Sequence, residues 1–231
     1  MTKTLPNSSN LLHVSNFQDL ISTPFQGTTN AISWFRQLEG DFEEIVNAIH
    51  FEGNMVEVDV EDLLDLELSE AGKVARETIL SDFRLLSEFG ASPVLNIISN
   101  YEVDEHPFFP TDVYSFHVDR SPIATDTFLC TYYGDASELI SNQDAIQKIQ
   151  IPEIREKILQ EYSGDTADFE AYVSEHFFDL HYQAVEDATI IHAETGHLWR
   201  LAVDYPGSKV LPCIHRAPIE ESGNKRLMLI C

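Results

Sequence analysis

Three residues of this chain have the types and spacing to hold a metal ion: His117 and Asp119, two apart in Phe116-His117-Val118-Asp119-Arg120, and the distant His215. The run Val113–Val118 is β-branched and aromatic and predicts a strand, and strand alternation then puts His117 and Asp119 on one face. Two imidazoles and one carboxylate occupy one face of an octahedral ion and leave the opposite face open for chemistry. Around zinc, the same set would serve a hydrolase through a metal-bound water.

A His-x-acid triplet is weak evidence alone: nine His and 39 acids in 231 residues give about 1.5 by chance, and three occur, at His50, His117 and His192. Taken singly, His117 and Asp119 could be a hydrogen-bonded pair at a strand end. What selects them is downstream. Cys213-Ile214-His215-Arg216-Ala217-Pro218 is followed by a polar turn through Ser222, Gly223 and Asn224, and then by Arg226 at the head of an apolar run. His50 and His192 have no such partner. His176 and His181 are five apart in an expected helix, a poor spacing for a shared metal, and read as structural. His192 and His197 bracket a turn, and His106 precedes Pro107 and two phenylalanines in a loop, where it reads as surface packing ahead of lining a substrate mouth. Arg216 reads as a surface residue or one that orients a carboxylate.

The elements that must position these residues follow from periodicity. Ala31–Ile49 repeats apolar residues at helical spacing, and Glu70–Phe89 predicts a second helix, capped by Ser69, stopped by Gly90 and striped by Val74, Ile79, Phe83, Leu86 and Phe89. Val56–Leu68 reads as a strand followed by a short helix. From Pro93 the texture is sheet: Val94–Val103, Val113–Val118 and Thr127–Tyr133. Helical pattern returns between about Asn142 and Tyr182, best in Ile151–Tyr162 and Thr166–Phe178. Strands then resume at Thr189–His192, Leu198–Val203, Val210–Ile214 and Arg226–Ile230. No internal repeat or long linker divides the chain, so one domain is expected: residues 1–92 as helical support, 93–138 and 189–231 as the β core, and 139–188 as a helical insertion.

Composition narrows the partners. Fourteen basic residues against 39 acidic ones leave a formal charge of -25, which opposes binding to nucleic-acid phosphates and favours a neutral or cationic partner. No apolar run is long enough for a membrane span, the first ten residues are polar, and Cys130 and Cys213 sit in apolar runs as reduced core residues. A cytoplasmic protein is expected. There is no Gly-x-Ser-x-Gly, no Gly-rich phosphate loop, no Cys-x-x-Cys and no His-Glu-x-x-His.

His-x-Asp, a long interval, a distal His and an Arg eleven residues beyond it resemble the 2-oxoglutarate-dependent oxygenase superfamily over roughly residues 93–231. Within it, Leu129-Cys130-Thr131-Tyr132-Tyr133-Gly134 and His215-Arg216-Ala217-Pro218 resemble a little-characterised bacterial family; His117-Val118-Asp119 followed by Cys130-x-Tyr132-Tyr133 is also similar to prolyl hydroxylases. The resemblance implies a mainly β fold with added helices, a double-stranded β-helix (jelly roll, cupin-like). It further implies Fe(II) on His117, Asp119 and His215, and 2-oxoglutarate as cosubstrate with Arg226 on its far carboxylate.

Alternation points one of Tyr132 and Tyr133 into the barrel, without deciding which, so at most one touches that cosubstrate by its hydroxyl, and either reads equally as a packed strand aromatic. The implied reaction is hydroxylation of an amino-acid, peptide or small-metabolite substrate with release of succinate and CO2. Asp119 disfavours a halogenase, whose relatives carry Gly or Ala there. Two features depart from the pattern: Arg226-Leu227-Met228 replaces the frequent Arg-x-Ser, and a helical segment separates Asp119 from His215. A non-catalytic metal-binding β-barrel module and a zinc-dependent hydrolase built on the same three ligands are the alternatives. Neither the substrate nor the oligomeric state is legible.

Overall fold

The computed structural model describes residues 10–106, 108–219 and 224–231. Ser222 and Gly223 of the expected polar turn, and Pro107, lie outside the described residues. The chain begins with β1 (Leu11–Val14), α1 (Phe17–Ser22), β2 (Ala31–Trp34), α2 (Phe42–Ala48), β3 (Met55–Glu57), α3 (Val60–Asp65) and the long α4 (Glu70–Phe89). It continues through β4 (Val94–Ile98), β5 (Asp126–Tyr133), β6 (Glu138–Ile140), β7 (Ala145–Gln147), α5 (Pro152–Glu161) and α6 (Phe169–Glu175). It ends with β8 (Tyr182–Ala184), β9 (Ile190–His192), β10 (Leu198–Ala202), β11 (Ile214–Arg216) and β12 (Arg226–Ile230).

Seven strands form the larger sheet, in the order β1-β2-β10-β5-β12-β4-β3, antiparallel except between β1 and β2. The smaller sheet is β11-β6-β9, and His117 adds to it through a bridge to His215. Ala31, Leu129, Trp199 and Leu201 of the larger sheet share one apolar cluster with Leu139, Ile191 and Cys213, so the two sheets face each other. Ile32, Leu95, Ile97, Phe128, Cys130 and Leu227 point the other way, against Ile45, Leu63, Ile79 and Leu86 of α2, α3 and α4. The fold is therefore mixed helix and sheet with several sheets.

Helix α4 forms where its caps predict: Ser69 Oγ accepts from the Gly72 N–H, and Gly90 adopts φ +100°, which costs a residue without Cβ little. Its buried stripe differs in detail, with Ala75, Ile79, Asp82 and Leu86 inside and Val74 and Phe89 exposed. The expected helix Ala31–Ile49 is corrected. Ala31–Trp34 is a strand because β1 and β10 pair with both of its edges, and only Phe42–Ala48, capped by Asp41, is helical. Tertiary pairing overrides the helical spacing of Ile32 and Phe35.

Val113–Val118 forms no named strand; His117 alone makes bridges there. The segment 139–188 is also not simply helical. Its first two residues belong to β6 of the smaller sheet, and it carries the β7–β8 pair as well as α5 and α6. Cys130 and Cys213 are buried free thiols. Among the described residues, no helix is long and apolar enough to cross a membrane.

Candidate metal centre

His117 and His215 meet as a hydrogen-bonded antiparallel pair, each N–H donating to the other's carbonyl at 2.9 Å. Partners so placed send their side chains to the same face. That face is the one Leu139 presents, because Leu139 is opposite His215 in β6 and packs between the sheets, whereas Phe116, Val118 and Ile214 pack on the outside. His117, Asp119 and His215 bring one ligand atom each to within 4.8 Å of one another, on the inward face.

Each ligand is held by a second contact. His117 Nδ1 lies 2.8 Å from Ser115 O, and His215 Nδ1 lies 3.2 Å from Cys213 O. A carbonyl can only accept, so both Nδ1 atoms carry the proton and both Nε2 lone pairs are left for a metal. Thr127 Oγ1, on the inward face of β5, donates to Asp119 Oδ2 at 2.5 Å. Asp204 N–H donates to Asp119 O at 2.8 Å, while the neighbouring Arg120 side chain reaches Asp179 at 2.7 Å and Asp204 at 3.0 Å. The ligand segment is thereby fastened to the loop after β10 and to the turn after α6.

Burial, seconded by the neighbouring His215, lowers the His117 pKa to about 4. For Asp119, burial acts upward but His215, the Thr127 hydroxyl and His117 outweigh it, so the carboxyl stays below its usual range. A neutral His117 imidazole, an ionised Asp119 and Nε2 atoms left free by the two Nδ1 contacts make a donor set that fits a divalent metal.

Arg226 heads β12 and is fully buried, and its guanidinium donates to Thr131 Oγ1 at 3.0 Å and Ser137 Oγ at 2.8 Å. Thr127, Leu129 and Thr131 share the inward face of β5. The triad and Arg226 are thus anchored four residues apart on one strand, roughly 13 Å, with Leu129 between them.

The expectation that exactly alternate faces would separate Tyr132 from Tyr133 fails. Met228 pairs with Thr131 but Leu227 pairs with Tyr133, so Tyr132 is the extra residue of a β-bulge and parity is lost. Tyr132 Oη donates to Asp82 of α4 at 2.7 Å, and Tyr133 hydrogen-bonds Glu43 of α2; both rings pack on the helical side. Arg216 pairs with Glu138 at 2.6 Å and covers the Phe116 ring, outside the sheets. His192 also reaches Glu138, whereas His197 contacts Ser33 and Phe35, and His106 packs on Phe108 and pairs with Glu161. Sequence reading missed Thr127, and it missed His181, which bridges His117 and is not helical. Nothing in their spacing could have marked them, since pairing register alone brings them in.

In comparisons with known proteins, no family model matches the chain, and neither a curated protein nor a solved structure matches it.

Proposed function

We propose that the chain is an Fe(II)- and 2-oxoglutarate-dependent oxygenase acting on an amino-acid, peptide or small-metabolite substrate. The observation that carries this reading is the convergence of His117, Asp119 and His215 between two facing sheets, with both Nε2 atoms unspent and Asp119 ionised. The strand order supports it. β4-β12-β5-β10 in one sheet, opposite the His117 segment, β11, β6 and β9, is the order of an eight-stranded double-stranded β-helix, to which β1, β2 and β3 are additions.

Arg226 supports the cosubstrate assignment. It is a guanidinium inside the fold, flanked by two hydroxyls, on the inward face of the strand that follows His215. Fe(II) with its oxo-acid would supply oxygen activation and C–H oxidation. This chain contributes the rest. His117, Asp119 and His215 hold one face of the ion, Thr127 orients Asp119, Arg226 takes the far carboxylate, and Leu129 and Trp199 exclude water. Leu129 also lies on the path between triad and guanidinium, so a cosubstrate reaching both must pass its side chain.

The test is anaerobic addition of Fe(II) and 2-oxoglutarate to the metal-free protein, watching for the weak visible charge-transfer band. Wild type should show it, His117→Ala should abolish it, and Arg226→Ala should weaken it. A folded, metal-loaded protein that forms no band overturns the cosubstrate assignment and leaves the zinc hydrolase or the non-catalytic module.

A further inference from the structure

The inward row of the smaller sheet does not stop at His117. His181 lies opposite it in a bridge flanked by Val118 N–H to Leu180 O at 3.1 Å and Tyr182 N–H to Phe116 O at 2.7 Å. Its ring centre is 5.8 Å from that of His117. β7 pairs with β8 so that Gln147 faces Tyr182, and Lys148 N–H donates to His181 O at 2.8 Å, which puts Lys148 beside His181. Side chains directly opposite share a face, so His181, His117 and His215 form one row; Lys148 opens a 3-10 turn at the end of that row, close enough for its charge to act on His181.

His181 and Lys148, on the side of His117 away from His215, are polar groups that the fold does not use up. His181 is 4% exposed, and its Nδ1 is buried with no hydrogen-bond partner. Lys148 Nζ donates to Ser115 Oγ at 2.6 Å and to Pro110 O at 3.5 Å, and sits 5.5 Å from the Phe109 ring centre. Among the described residues it makes no ion pair, in a chain carrying 39 acids. The acids that face it, Asp104 and Asp112, spend their oxygens on the loop's own donors. Asp104 accepts from His106, Thr111 and the Thr111 hydroxyl, and Asp112 from the N–H groups of Asp104, Tyr114 and Ser115. A buried orphan and a half-buried ammonium held only by neutral oxygens are costly to keep without a ligand.

We propose that Lys148 and His181 form a carboxylate-binding subsite beside the metal centre, which fixes the acid end of a small substrate. The ammonium supplies the opposite charge, and the imidazole supplies a hydrogen bond to the second oxygen or to an adjacent amide. Lys148 lies two strands from His117, on the order of 10 Å, a distance suited to an amino acid or a short peptide terminus. The role of the subsite in substrate selection rests on the oxygenase reading; its capacity to bind a carboxylate does not.

The experiment follows histidine side-chain 15N resonances of the metal-free protein during titration with propionate, propionamide and propylammonium, with the His181 signals assigned from His181→Gln. Propionate should shift the His181 signals saturably and the two isosteres should not. Lys148→Met should weaken that response about tenfold or more, Lys148→Arg should largely preserve it, and Arg226→Met should leave it unchanged. A response to propionate that survives Lys148→Met, one that disappears with Arg226→Met, or no saturable shift would each overturn the subsite. Loss of the iron band with an intact propionate response counts against the oxygenase reading alone.

Discussion

Strand β5 carries two polar regions, one on each face, and they are built to opposite ends. On the helical face, Tyr132 Oη meets Asp82, and Asp82 meets Arg36 at 2.7 and 2.5 Å, so a buried carboxylate is closed off by a guanidinium and a phenol. Arg36 also donates to Gly196 O, which ties α4, β5 and the turn before β10 together. On the inward face, Thr127 holds Asp119, but the atoms of His117, His215 and Asp119 that converge are lone pairs, which cannot satisfy one another. The two faces thus serve two purposes, the Asp82 side closed from solvent and the triad side partly open. The Asp82 network balances its own charge, whereas the triad, on the proposed reading, would be balanced by a bound cation. Such a pair of sites predicts that mutations on one face act on folding and mutations on the other act on ligand binding.

The largest effect should come from Asp82→Ala. It strands Arg36 and the Tyr132 hydroxyl inside the protein, and should cost about 3–5 kcal/mol in chemical denaturation. Metal affinity of the folded fraction should stay unchanged; a parallel loss of affinity would erase the distinction between the faces. Thr127→Val should do the reverse. It frees the Asp119 carboxylate to rotate and should weaken Fe(II) or Zn(II) binding about 10–100-fold by competition titration, with unfolding moved by no more than about 1 kcal/mol.

The smallest effect is a pH dependence. Burial lowers the His197 pKa beneath 6.5, so the unfolded chain binds the proton first. Stability from the neutral ring is complete above that value and is lost as pH falls below it toward the folded pKa. His197→Gln should flatten the slope of unfolding free energy against pH in the metal-free protein on the acid side of 6.5, and an unchanged slope would place the acid sensitivity elsewhere.

Legibility differed by the range of the interaction. Ser69, Glu70–Phe89 and Gly90 are a local statement, complete within one helix, and they were readable as such. Cap chemistry acts between neighbours and needs no partner strand. Ala31–Trp34 was misread because a strand's state depends on what pairs with it, and β1 and β10 are remote in sequence. Tyr132 and Tyr133 were misassigned by a rule that holds for regular strands, and a single bulge against Leu227 cancelled it. His181 and Lys148 were invisible as neighbours of His117, since only the pairing of β7, β8 and the His117 segment brings them together.

The sequence by itself determined the donor chemistry: a His-x-Asp pair, a distal His and a following Arg, whose side chains can only act as ligands, acids or cations wherever they lie. It also determined the helices whose caps and apolar stripes are local. Tertiary structure alone decided that His117 stands opposite His215, that Thr127 reaches Asp119, and that both tyrosines turn to the helices. These outcomes are set by strand register, in which a shift of one residue exchanges the two faces of a sheet.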